Sequence, residues 1–436
     1  MKNVLFISYY FPPSGGSGVQ RGLKFVKYLP DFGWDPIVLT VDPKSAAYPE
    51  IDEGLLDDIP DGVKIVRTDS WDPYTAYASL VGKKKSDAVG VGFLGADHDS
   101  WKEKVARFVR ANLFFPDARV GWVRHARRAV REQLNSTNID AIVSTGPPHS
   151  AHLIAASIAK SQNLPWIADI RDAWPDIAYA DMLPTTKLAR RWDLRIRNRV
   201  LRSATTHVAV TESLARQMSE GVSVPFHVIR NGFDPADFSD SKSKPLDGFN
   251  IVHTGSMAPA RNPSSIWRIL SRPDARARWP RLKLTFVGNV DGTIFRAASD
   301  AGLSHLLEHV PHVSHEEAIA YTTSATLLLL PINRVSSKAG IVTGKIYEYL
   351  MAGRPVLGLG DPDGEASSIL RETGAGTMFD YDDIDAIAQE LDRHYTAWNA
   401  GSPLDGASPG AAAPYSRREQ TGQLASLLDT ILEGGA

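Results

Sequence analysis

Cysteine is absent from all 436 residues. That excludes disulfides, thiolate metal sites and a cysteine nucleophile, and it is compatible with a reducing cytoplasm. No apolar run approaches the roughly 18 residues needed to span a bilayer. Charge of one sign is not in surplus either: 48 Lys and Arg stand against 50 Asp and Glu, a net −2. Together with the lack of a recognisable nucleic-acid module, this disfavours nucleic-acid binding. Val4 to Phe11 is apolar after Lys2 but short for a signal peptide, and it runs into Pro12-Pro13 and a glycine loop, so it reads as a first strand.

What is present is an ordinary globular composition, 43% apolar, with length for two sizeable cores. Short β-rich apolar runs alternate with helical patterns from end to end, the signature of parallel-sheet α/β domains. In the first half the expected strands are 3–8, 36–41, 63–68, 141–145, 166–170, 207–211 and 226–229. In the second they are 250–254, 282–287, 307–313, 326–331, 354–359 and 377–380. A polar segment rich in Ser, Asp, Lys and Pro separates the two sets. The expected division is therefore a domain over 1–237, a linker over 238–249 and a second domain over 250–414. A last helix with Leu424, Leu427, Leu428 and Ile431 at helical spacing completes the chain over 415–436. Residues 70–100 and 401–414 read as irregular loops.

Open parallel sheets place ligands beyond the C-terminal ends of their strands. The unusual residues of this chain fall in those loops. After the first strand comes Pro12-Pro13-Ser14-Gly15-Gly16-Ser17-Gly18-Val19-Gln20-Arg21. Gly16 and Gly18 let backbone N–H groups approach an anion, while Arg21 stands where a dinucleotide fingerprint would need its third glycine. Packing alone would also account for such a glycine turn. A later loop ends in Gly146-Pro147-Pro148-His149, where His149 is placed to hydrogen-bond a sugar hydroxyl or steady developing charge. Asp169-Ile170-Arg171-Asp172-Ala173-Trp174 follows another strand. Charges this dense at a strand end are costly unless paired or used. Asp172 is a candidate to position an acceptor hydroxyl, and Arg171 either meets a phosphate or braces Asp169 and Asp172.

In the second half, Thr254-Gly255-Ser256 leads to Arg261, whose guanidinium suits a diphosphate. The richest stretch is Gly340 to Val356, G-I-V-T-G-K-I-Y-E-Y-L-M-A-G-R-P-V. A glycine turn opens a helix there, so backbone N–H groups of Gly340, Ile341 and Val342 and the Lys345 side chain can meet phosphate. Glu348 lies one turn further in, where a carboxylate can grip the two hydroxyls of a ribose. An ordinary buried αβ unit with a solvated glutamate fits the same residues.

Taken in order, these loops resemble the retaining glycosyltransferases of family 4, in the branch found among bacterial surface-polysaccharide enzymes. The match rests on the glycine-rich first loop, R-D-A-W at Arg171 to Trp174 and R-N-G-F-D at Arg230 to Asp234. It continues with T-G-S and R-N near Arg261 and with G-K-I-Y-E-Y-L-M-A-G-R-P-V. The resemblance implies the GT-B fold: two Rossmann-like domains facing across a cleft, with the last helix returning to the N-terminal domain. It implies transfer of a sugar from a nucleoside-diphosphate sugar of UDP or GDP type to a glycan or lipid-linked acceptor, with retention and without cofactor or metal. Donor contacts fall to Gly16, Gly18, Gly255, Arg261, Gly340 to Val342, Lys345 and Glu348. Acceptor contacts fall to Arg21, Asp169, Arg171, Asp172 and Trp174, and catalysis to His149, Asp172, Arg261 and Lys345. One departure stands out: the family commonly shows two glutamates eight positions apart, and the first falls here on Gly340.

Two basic stretches bear on the acceptor: Trp101 to Arg131, with nine basic and two acidic residues, and Lys187 to Arg202, with seven and one. Arg107, Arg110, Arg127 and Arg128 lie among Trp101, Phe108, Phe114, Phe115 and Trp122, a mix suited to an anionic membrane surface. A cytoplasmic protein peripheral to the inner face of the membrane is the expectation. Solvated basic helix faces fit equally. An epimerase of the same fold and a silent nucleotide-sugar-binding subunit are the alternative functions.

Overall fold

The computed structural model describes residues 1–71, 108–109, 111–175, 184–239, 246–311, 313–333 and 341–434. Gly340 lies outside these residues, as do Trp101, Arg107 and Arg110. The chain divides into two compact units, Met1–Arg230 with Gln420–Ala436, and Asn231–Glu419. The first division thus falls at Arg230, ahead of the polar segment on which the sequence reading placed a linker.

The first unit is built on seven parallel strands: β1 (Lys2–Ile7), β2 (Trp34–Val41), β3 (Lys64–Thr68), β4 (Ala141–Gly146), β5 (Trp166–Ile170), β6 (Thr206–Ala209) and β7 (Phe226–Val228). Their order in the sheet is β3-β2-β1-β4-β5-β6-β7. The second unit has six, β8 (Phe249–Thr254), β9 (Leu282–Val287), β10 (Leu307–Val310), β11 (Leu327–Pro331), β12 (Val356–Leu359) and β13 (Gly376–Phe379), in the order β10-β9-β8-β11-β12-β13. Central strands such as β4, β5, β8 and β11 are buried along their whole length. Alternate residues of β1 enter different core clusters, Leu5 and Ile7 one, Val4 and Phe6 the other. A sheet covered on both faces needs apolar residues without a polar alternation, and that is how these strands read.

In both sheets the order reverses beside the first strand of the unit, between β1 and β4 and between β8 and β11. Such switch points open a crevice at the strands' C-terminal ends. Five helices start just after strand ends or carry the site: α1 (Ser17–Tyr28), α2 (Trp122–Gln133), α3 (Ser150–Gln162), α4 (Lys187–Leu201) and α5 (His315–Ser324). They are joined by α6 (Lys345–Ala352) and α7 (Arg417–Glu433).

Helix α7 packs on the first unit. Leu424, Leu428 and Ile431 join the cluster of Val4, Phe6, Leu23 and Trp34, and Asp429 accepts from Trp34 Nε1 at 3.0 Å. Leu428 is fully buried. Leu428→Ala should therefore cost about 2–5 kcal/mol, read as a lowered urea midpoint with an unchanged slope. A loss within about 0.5 kcal/mol would mean that α7 is not part of this core.

Candidate functional site

Helix α6 is set against the end of β8 by two contacts. Its Tyr349 hydroxyl accepts from the Thr254 backbone N–H at 3.1 Å. Burial raises that hydroxyl to about 12, so it stays protonated and keeps its place in the core. Gly255 comes next, at φ +110°, and a Cβ there would stand 2.4 Å from Lys345 Cε. Only glycine lets the lysine stem lie across the strand end. At the other end Gly353, at φ +63°, closes the helix in the left-handed conformation ahead of Pro355 and β12.

Lys345 Nζ donates to Glu348 Oε2 at 3.1 Å, and both side chains are about a quarter exposed, 27% and 26%. The two groups expected to hold phosphate and ribose thus hold each other. Arg261 sits on the loop that follows Gly255. Its Nε donates to Asn333 Oδ1 at 2.6 Å and its Nη1 to the Ser256 carbonyl at 3.2 Å, and it is half-buried. Both cations act on His253. That imidazole is lowered to about 4, first by burial and then by the charges of Lys345 and Arg261. Arg261 reaches the Ser256 carbonyl and Lys345 lies over Gly255, so both cations flank the loop that leaves β8. Ile341 and Val342 pack on the adjoining core.

Sequence reasoning missed two residues here. His315, the first residue of α5, has its Nε2 3.3 Å from Asp237 Oδ2. Its pKa is raised, mainly by that bond and further by Glu348, with Lys345 opposing. Nothing in the sequence pairs positions 78 residues apart. A raised histidine value means the contact stabilises fully below the unfolded value of about 6.5 and fades as pH rises through the folded one. Half-exposure screens most of that energy. An NMR titration should find His315 titrating above its ordinary value, and Asp237→Asn should bring it back; an unmoved titration would dismiss the pairing.

In the first unit the expected residues sort differently. Arg21 Nε donates to both Asp169 oxygens at 3.0 Å, and Nη2 reaches Oδ1 at 2.8 Å. Its remaining donors go to the Ile229 and Arg230 carbonyls, and Thr145 Oγ1 donates to Asp169 Oδ2 at 2.7 Å. Both side chains are 1% exposed. The pair is internal to the domain, and the acceptor role expected for Arg21 and Asp169 is replaced by a structural one. Arg171 likewise spends its guanidinium on backbone: Nη1 on the Gly18 carbonyl, Nη2 on Pro147 at 2.6 Å and Nε on Gly146 at 3.3 Å. It braces the loops after β1, β4 and β5. The acceptor role expected for Trp174 is corrected too. The ring is 1% exposed, donates from Nε1 to Asp193 Oδ1 at 3.0 Å, and belongs to the core.

Trp174 stacks on His149 with centroids 4.7 Å apart and planes at 9°. His149 is 3% exposed, and neither ring nitrogen has a hydrogen-bond partner among the described residues. Burial, then His152 and Arg171, hold it well below the ordinary histidine value, so it is neutral near pH 7. His152 Nδ1 lies 2.8 Å from Ser144 Oγ, its Nε2 is also unpartnered, and burial lowers it to about 3. Gly146 fits between the two rings: a Cβ there would meet His152 Nε2 at 2.7 Å and His149 Nδ1 at 3.2 Å. Asp172 is the exception. It is exposed and takes no hydrogen bond from a described residue, while surrounding protein raises its pKa by desolvation against the pull of Arg171.

The first glycine loop is lined by acid. Gly15 N donates to the Glu50 carbonyl at 2.9 Å and Asp52 N to the Pro13 carbonyl at 2.8 Å. Gly16, at φ +86°, precedes α1, and a Cβ on it would stand 4.0 Å from Glu50 Oε2. Phosphate at Gly16 and Gly18 would meet that carboxylate. No group of His, Cys, Asp and Glu side chains fit to hold a metal ion occurs among the described residues, and no helix of the described residues is long and apolar enough to cross a membrane.

Comparisons with known proteins agree with this architecture. Residues 17–232 match the model of the glycosyl transferase 4-like domain. Among solved structures, the chain is similar to sucrose-phosphate synthase from Thermosynechococcus elongatus, with TM-score 0.61, 13% identity and 100% of both chains covered. A glycosyltransferase from Rickettsia africae gives 0.60 at 12% identity, over 99% of this chain and 98% of the other. Anabaena HepE in complex with UDP gives 0.59 at 14%, over 99% and 100%. No curated protein matches the chain. Residues 17–232 are thus similar to the glycosyl transferase 4-like domain, and the chain as a whole has the two-domain GT-B fold.

Proposed function

We propose that the chain transfers a sugar from a nucleoside-diphosphate sugar, of UDP type before GDP, to an acceptor hydroxyl with retention at the anomeric carbon. The observation that carries this reading is the arrangement at the end of β8, where Lys345 lies over Gly255, paired to Glu348, with Arg261 on the same loop. Incoming ribose hydroxyls take Glu348 and free Lys345 for the diphosphate. Amides at Ile341 and Val342 add neutral donors ahead of α6. Similarity to a UDP-bound structure supports the choice of base.

In the reaction the acceptor oxygen bonds to the anomeric carbon on the face the diphosphate leaves. The bond from that carbon to the phosphate oxygen breaks with its electron pair, and a phosphate oxygen takes the acceptor proton. Arg261 and Lys345 neutralise the charge that develops on the leaving group, so no metal enters the scheme. Asp172, exposed just after β5, orients the acceptor hydroxyl. The test is a donor screen for release of nucleoside diphosphate with chelator present, with the product anomer read by NMR. Inverted product, or turnover that needs a divalent cation, would reject this scheme.

The acceptor is carried at an anionic lipid surface. Helix α2 exposes Arg124, Arg127, Arg128 and Arg131. Helix α4 exposes Lys187, Arg191, Arg195 and Arg199 around Leu188 at 75% and Trp192 at 54% exposure. Cations flanking exposed apolar side chains suit a headgroup region. Vesicles with 30% phosphatidylglycerol, on the order of physiological anionic content, should co-sediment the protein, and Trp192→Ser should weaken this severalfold. Equal sedimentation with neutral vesicles would remove the idea.

A further inference from the structure

The cations beside the loops after β1, β4 and β5 are committed inside the first domain, while the carboxylates of Glu50 and Asp172 are exposed. Arg21 is closed on Asp169 and on two carbonyls, and Arg171 on the carbonyls of Gly18, Gly146 and Pro147. Asp172 is exposed without a described partner. Glu50 is exposed too, and its segment is zipped onto the glycine loop through a Ser14–Ile51 antiparallel bridge. A Cβ on Gly15 would lie 3.1 Å from Glu50 Cγ and 3.2 Å from Asp52 Cβ. The acidic segment, rather than an anion, is therefore what these glycines make room for. Beyond Gly16 the loop meets Arg171, whose Nη1 already donates to the Gly18 carbonyl, and an aromatic ring: from where a Gly18 Cβ would stand, Arg171 Nη1 lies 3.6 Å away and Cδ2 of the half-buried Tyr10 3.9 Å.

Free carboxylates accept hydroxyl protons, and an aromatic face packs on the C–H face of a sugar ring. The same carboxylates repel a phosphate, and the described cations beside these loops, Arg21 and Arg171, are already spent on Asp169 and on backbone carbonyls. We propose that the first domain takes an uncharged saccharide end as acceptor, held by Glu50, Asp172 and Tyr10, and discriminates against sugar phosphates. The proposal rests on the glycosyl-transfer reading above and narrows its substrate class.

The full-length protein, saturated with UDP, is titrated by saturation-transfer NMR with methyl glycosides of glucose, galactose and mannose, and with glucose 6-phosphate and fructose 6-phosphate. At least one neutral glycoside should bind saturably, and the hexose phosphates at least about tenfold more weakly. Glu50→Gln should weaken glycoside binding at least about fivefold, and Glu50→Lys should shift preference toward the phosphates. Preference of the unsubstituted protein for a hexose phosphate, absence of any glycoside binding, or indifference to Glu50→Gln would each overturn the proposal. UDP affinity is measured in every sample. Should a Glu50 variant lose it through misfolding, Asp172→Asn carries the same readout. Failure of the unsubstituted protein to bind UDP would count against glycosyl transfer itself, not against the acceptor class alone.

Discussion

Lys345→Ala should lower kcat/KM for the donor by about 10²- to 10³-fold, the scale seen when one group stabilising a leaving-group charge is removed. The side chain is a quarter exposed and its main partner is Glu348, so the fold should survive, with Tyr349 still docking α6 on Thr254. Truncation removes a full charge from the spot shared with Arg261, and it leaves Glu348 unpaired beside the incoming diphosphate. Most of the loss should appear in kcat, because charge on the leaving oxygen grows as the bond breaks. Gly255→Ala should reach a similar end by another route. Its φ of +110° is unfavourable for alanine, and the added methyl would occupy the space of Lys345 Cε. Glu348→Gln should act mainly on donor KM, by about tenfold, since ribose contacts are made before and during transfer. Steady-state kinetics together with UDP affinity separate these cases. Turnover within twofold of the unsubstituted rate for Lys345→Ala would remove the donor assignment.

The central strands were legible because they are buried on both faces and so read as bare apolar runs. Trp166–Ile170 and Leu282–Val287 fall where the sequence put them. Ends drifted where proline intervenes: β10 stops at Val310, ahead of Pro311, where the sequence led to an expected end at 313. Helix α6 was legible because its signals are local, with glycines at either end and Lys345 and Glu348 one turn apart. The first domain's loops were harder. A row of charged residues, Asp169, Arg171 and Asp172, does not say which member is paired inward. That depends on Arg21, 148 positions from Asp169, and on carbonyls at Gly18 and Ile229. The same holds for Glu50 on the glycine loop and for Asp117, which accepts from Ser150 at the start of α3. Composition showed charge at the sheet edge; only the fold distinguishes braces from free groups.

Asp169→Ala should destabilise the first domain by about 3–5 kcal/mol, the cost of leaving a buried charge without its partner. Arg21 is 1% exposed, and without Asp169 its guanidinium would lose the carboxylate it is bonded to, leaving neutral carbonyls and the Phe25 ring against a full buried charge. Arg21→Met should cost a comparable amount for a different reason. It strands the Asp169 carboxylate and also frees the Ile229 and Arg230 carbonyls, two acceptors that Arg21 now satisfies. The pair of substitutions Arg21→Met with Asp169→Leu should cost less than the sum of the two single changes, since neither charge remains to be buried. Global unfolding of a two-domain chain need not be one transition, so the measurement is native-state hydrogen exchange on peptides covering α1 and β5. Protection there should fall by about two to three orders of magnitude in each single variant and recover in part in the double. Single variants that keep protection within threefold would show that the buried pair does not hold these loops, and the structural role given to Arg21 and Asp169 would then be withdrawn.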